Sequence, residues 1–127
     1  MKKIIIITTL LCIVFCSCTN NDAKRFIGKW NCNKIVTDNN EIDINSFSSN
    51  LNTDWKITAE FKDDGTYIID SIVNGKSGKD YPQKGSYSVV DESNIMLEEE
   101  ATAIILNNTM IITFDSGKVK HYYKKVE

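Results

Sequence analysis

In Trp55-Lys56-Ile57-Thr58-Ala59-Glu60-Phe61-Lys62 every odd position is apolar and every even position polar. A period of two places alternate side chains on opposite faces of an extended chain, so this stretch predicts a strand with one buried and one wet face. Asp63-Asp64-Gly65 follows, and a glycine there supplies the positive φ of a tight reversal into a second strand over 66–73. Asn107-Asn108 and Ser116-Gly117 mark two more reversals on the same grounds. Eight strands are predicted, over 28–36, 55–62, 66–73, 84–90, 94–98, 103–106, 109–114 and 118–125. The fold class is all-β. Eight antiparallel strands joined in sequence predict an up-and-down barrel, which leaves no exposed sheet edge.

The segment 37–54 is too long for a hairpin turn. Its Ile44, Phe47 and Leu51 fall at i, i+3 and i+7, the spacing of one short amphipathic helix. It is predicted to be a long first loop or short helix acting as a lid over one barrel mouth. Gly75-Lys76-Ser77-Gly78-Lys79 has neither the spacing of a phosphate-binding loop nor a following helix, and reads as a plain loop.

The first residues follow a different pattern. Lys2 and Lys3 precede an apolar run from Ile4 to Phe15, broken only by Thr8, Thr9 and Cys12. This is the charge-then-apolar order of a secretory leader, and about a dozen residues fall short of the roughly 18 that a spanning helix needs. The run ends in Phe15-Cys16-Ser17-Cys18, a small residue directly before a cysteine, which resembles the lipobox of bacterial lipoproteins. That resemblance implies cleavage after residue 17 and acylation of Cys18 by palmitate-class chains. Cys16 fits less well, because the bulky Phe15 precedes it. Two or more acyl chains anchor durably, at about 0.8 kcal/mol per buried methylene. The expected organisation is a signal peptide over 1–17, a lipidated polar tether over 18–26 and a barrel over 27–127. The expected address is the cell envelope, anchored by lipid to the outer membrane on either its periplasmic or its outer face.

Composition narrows the function. Of 127 residues 42% are hydrophobic and 25% charged, as in an ordinary packed domain. Losing Lys2 and Lys3 with the leader leaves 13 basic against 17 acidic side chains, a net charge of −4 that disfavours nucleic acid as a partner. After cleavage and acylation Cys32 is the one remaining thiol, and in an oxidising compartment it is expected to be buried beside Trp30. His121 is the only histidine, so neither a metal cage nor a nucleophile-base pair can be assembled around it, and a structural role is expected. Glu98-Glu99-Glu100 and Asp91-Glu92 lack the ligand alternation of a calcium loop and read as a solvated hairpin rim. The sequence offers no reacting pair, metal or cofactor, and an enzyme is not expected.

Gly28-Lys29-Trp30 opens the first strand and looks like the Gly-x-Trp signature of lipocalins. Asp64-Gly65-Thr66-Tyr67, Gly85-Ser86-Tyr87 and the basic Tyr123-Lys124-Lys125 end extend the likeness. Over roughly 26–127 the chain resembles the lipocalin-like domains of Bacteroidetes-type bacterial lipoproteins. The resemblance implies that Trp30 plugs the barrel base and that Lys124 or Lys125 packs over it. Strand parity turns Trp55, Ile57, Phe61, Tyr67, Ile69, Tyr87, Val89, Ile112 and Phe114 inward, where they would line the site of a small apolar ligand. The same bulky set would equally fill the lumen. The alternative is then an envelope accessory domain that docks on another protein through loops 37–54 and 74–84. Asp70-Ser71-Ile72 also fits a short O-glycosylation pattern of such bacteria, with Ser71 as acceptor.

Overall fold

The computed structural model describes residues 23–98 and 101–126. Cys18, Glu99 and Glu100, with the whole of the expected leader and most of the expected tether, lie outside the described residues. The elements in chain order are β1 (Gly28–Thr37), β2 (Glu41–Asp43), α1 (Ile44–Leu51), β3 (Trp55–Phe61), β4 (Thr66–Val73), β5 (Lys76–Ser77), β6 (Gln83–Asp91), β7 (Asn94–Leu97), β8 (Thr102–Leu106), β9 (Thr109–Phe114) and β10 (Val119–Lys125). Antiparallel pairing runs β1–β3–β4–β6–β7–β8–β9–β10, and β10 returns to pair with β1. Eight strands therefore close an up-and-down barrel, as expected from the alternation.

The register sets two ends. Gly28, Phe61 and Tyr67 sit at the base, with Trp30 two pairs above and facing Lys125 on β10. Thr37 pairs with Val119 at the top, where α1 and β5 also lie. Gly28 has φ +128°, a backbone conformation that L side chains rarely adopt, so glycine is required there, and its bare Cα also lets the Lys125 stem pass close by. Burial alternates along β3, β4, β7 and β8, as period two demands.

β1 breaks that period. Between Cys32 and Lys34 the register slips by one, leaving Asn33 as the extra residue of a bulge, and the next buried residue is Ile35. Above the bulge β1 leaves β3 and pairs with β2 instead. α1 covers the gap so opened. Asp43 Oδ1 accepts from Ser46 N and caps its start, Asn52 at φ 51° ends it, and Ile44 is its buried anchor. Ser48 Oγ accepts from Trp55 N and donates to Trp55 O, standing in for a strand neighbour along this part of β3. The lid expected from 44, 47 and 51 is thus a real helix, although Leu51 remains 58% exposed.

Two boundaries differ from the sequence reading. Ala23 and Phe26 are buried, and Phe26 N donates to Ala23 O in a turn tucked under the base, so the packed domain begins by residue 23 rather than 27. Polar Lys24 and Arg25 hid the two apolar residues that make the contact. The region 74–84 contains β5, because Asn74 and Gly75, both at positive φ, form a two-residue hairpin back onto β4.

Candidate functional site

Phe26, Trp30 and Phe61 close the base. Phe26 and Phe61 meet edge to face with centroids 6.1 Å apart, and Trp30 Nε1 donates to Phe26 O at 2.9 Å, which satisfies the one polar atom of a ring only 2% exposed. Lys125 Nζ lies 5.3 Å from the centre of the Trp30 ring and donates to Arg25 O. The covering cation is therefore Lys125 and not Lys124. Alternation on β10 turns 121, 123 and 125 inward, while Lys124 points out and donates to Thr109 Oγ1.

Above the plug the lumen is occupied. Ile57, Phe61, Tyr67, Ile69, Tyr87 and Ile112 of the expected inward set are all buried, and Trp55, Val89 and Phe114 pack against them. Parity also brings in Ile95, Leu97, Ala103, Ile105, Met110 and Tyr123, which the sequence reading did not name. The strands 94–98 and 103–106 are too short for their parity to be assigned without a partner, whereas Met110 shares the face of Ile112 by the same alternation. Phe61 touches both Tyr67 and Tyr87, with centroids 6.1 and 5.6 Å away. Tyr87 Oη donates to Lys62 O, tying the lumen to the basal turn, and burial together with Asp64 and Asp63 raises its phenol pKa. At the upper mouth a space of about 120 Å³ is left among Tyr67, Ile69, Gln83, Leu97, Glu98 and Phe114. Sites for small organic ligands usually measure about 300–1,000 Å³.

Gly85 makes this packing possible. It pairs directly with Tyr67, and a Cβ on it would stand 2.7 Å from the Tyr67 hydroxyl and 2.9 Å from its ring. Gly85→Ala is expected to cost about 1–3 kcal/mol as overpacking against a buried ring. A urea midpoint equal to that of the parent chain would contradict this.

Cys32 is buried and free, with Sγ donating to Lys34 O. Burial pushes its thiol up to about 11, against the smaller lowering effect of backbone hydrogen bonds at Lys34 and Tyr122. Fewer than about one molecule in a thousand carries the thiolate near neutral pH, so the thiol is expected to resist iodoacetamide until urea unfolds the barrel. Labelling at the same rate with and without urea would contradict that placement.

The acidic residues serve turns. Asp64 Oδ1 accepts from Thr66 N and Oγ1, which lowers its pKa, and Asp91 does the same for Ser93 N and Asn94 Nδ2. Ser71 faces the upper mouth with its Oγ accepting from Trp55 Nε1, so a sugar on Ser71 would displace that contact.

Two surfaces bear on function among the described residues. On the upper rim Phe47 is 40% exposed and packs edge to face on Trp55 at 5.1 Å, beside the exposed Leu51 and Val73. At the base an open groove of about 780 Å³ is lined by Arg25, Trp30, Asn107, Asn108, Lys124 and Lys125 among others. No family model, no curated protein and no solved structure matches the chain.

Proposed function

We propose that this chain is a lipid-anchored envelope protein, tethered through Cys18 to the outer membrane, whose barrel works by contact with another envelope protein rather than by holding a molecule in its lumen or running a reaction. The lipobox-like Ser17-Cys18 and the lipocalin-like Gly28-Lys29-Trp30 support the address and the kinship. The observation that carries the function is the filled lumen: Tyr123, Phe61, Ile95, Met110 and Ile112 are each no more than 1% exposed and occupy the space a carried molecule would need. A barrel that spends its interior on its own side chains keeps its rims and outer faces for recognition. The upper rim fits that role, since it gathers Phe47, Leu51 and Val73 at the end away from the tether.

A photoreactive side chain at Leu51 in the intact protein, irradiated in the producing cell, is expected to give one discrete protein adduct. The same group at Lys56 on the outer face of β3 is expected to give none. Indistinguishable adduct patterns from the two positions would remove the upper rim as a docking surface.

A further inference from the structure

The chain enters the barrel at its base, and so does everything that would hold that base to a bilayer. Building on the tether proposed above, we propose that the basal groove is a second, electrostatic membrane contact that takes the phosphate of an anionic phospholipid headgroup. Three observations converge on it. Arg25, Lys124 and Lys125, a hundred positions apart in sequence, line one groove together with the amides of Asn107 and Asn108. The cations are held in place: Arg25 Nη1 donates to Ser93 Oγ at 2.6 Å, Lys124 Nζ to Thr109 Oγ1 at 2.6 Å, and Lys125 Nζ to Arg25 O at 3.3 Å. Apolar side chains flank them, Val126 in the groove wall at 44% exposure and Leu106 beside the Asn107 turn at 54%. Cations beside exposed aliphatic groups match the headgroup-to-acyl boundary of a bilayer better than they match water.

The anchor puts that surface within reach. From Cys18 to Ala23 the chain spans at most about 18 Å when fully extended, so the base cannot stand far from the acylated end. Basic residues attract anionic lipid only within about a Debye length of the surface, a distance to which the short tether lets the base descend, while the far rim stays a barrel length away. The carboxylates described at this end, Asp63, Asp64, Asp91 and Glu92, lie at the turns after β3 and β6, and none of them lines the groove. A barrel seated on its base would point Phe47 and Leu51 away from the membrane.

The test uses the intact lipoprotein reconstituted into vesicles that carry a headgroup-attached quencher. A fluorophore is placed by Asn108→Cys at the base or by Asn39→Cys at the top, with the buried Cys32 left unlabelled. Intact mass is read first: absence of acyl chains on Cys18 would sink the tether reading itself, and with it the premise of the docking site. With acylation present, strong quenching at 108 is expected in phosphatidylglycerol-containing vesicles and weak quenching in pure phosphatidylcholine, with 39 unquenched in both. Arg25→Gln combined with Lys124→Gln is expected to abolish the difference while leaving the melting temperature unchanged. Equal quenching of 108 in the two lipids, stronger quenching at 39, or an unaltered difference in the double variant would overturn the docking site and leave the tether standing. If inorganic phosphate removes the quenching where chloride of the same ionic strength does not, the groove is a free-anion site and the lipid assignment fails.

Discussion

Trp30→Ala is expected to cost about 3–5 kcal/mol, the range for truncating a buried aromatic side chain. Three losses act together. The indole is 2% exposed, so its removal leaves a cavity at the base beside Phe26. Its Nε1 is the partner of Phe26 O, the carbonyl that fixes the entering turn. Lys125 loses the ring over which it lies. Trp30→Phe keeps most of the volume and discards the hydrogen bond, and is expected to recover more than half of the loss. Urea unfolding of the three chains measures this, and a near-neutral Trp30→Ala midpoint would mean that the ring does not hold the base together.

The second large effect is on acid stability. His121 faces inward on β10, between Ile35 of β1 and Ile112 of β9, with Phe114 against its ring at 4.8 Å and its Nδ1 3.4 Å from the Tyr123 hydroxyl. Burial lowers its pKa from 6.5 to about 4, so the folded protein holds the imidazole neutral where the unfolded chain would protonate it. Between those values the unfolded state binds more protons, and stability must fall as pH falls. The slope approaches about 1.4 kcal/mol per pH unit and the total loss is on the order of 3 kcal/mol once pH drops below the folded value. Asp64 and Asp91 act in a separate window: their lowered pKa values contribute stability that persists above the ordinary carboxylate range and is lost only below it. Stability curves of the parent and His121→Leu chains separate the two. The parent is expected to weaken between pH 6.5 and 4 and the variant to stay flat there. Equal slopes would show that the imidazole is not buried neutral.

Much of the fold was legible because a barrel wall has only two faces. Once Trp55 and Ile57 are assigned inward, alternation carries the assignment to Phe61, and the Asp64-Gly65 turn hands it across to Tyr67 and Ile69. The same logic failed where a strand departs from strict period two or is very short. Asn33 inserts one residue into β1, and no property of asparagine announces a bulge there. Ile95 and Ala103 lie on strands of four and five residues, where parity depends on a pairing register that sequence does not supply. Lys124 and Lys125 could be separated only by knowing that Lys125 pairs with Trp30. The Asn74-Gly75 hairpin is readable from its dipeptide alone, but the Lys76-Ser77-Gly78-Lys79 that follows has the composition of an irregular loop and masks so short a strand. The basal groove was out of reach for another reason. It joins Arg25 to Lys124 and Lys125, and only closure of β10 onto β1 brings those positions together.

Whether the barrel is solid can be tested without knowing any ligand, by following isoleucine and leucine methyl resonances under rising xenon pressure. Xenon enters dry apolar cavities and shifts the methyls that line them. Ile57, Ile95, Ile105 and Ile112 are expected to show no saturable shift, with any response confined to Ile69 and Leu97 at the small upper space. Saturable shifts at the four deep methyls would reveal an empty lumen and restore the barrel as a carrier of small apolar molecules.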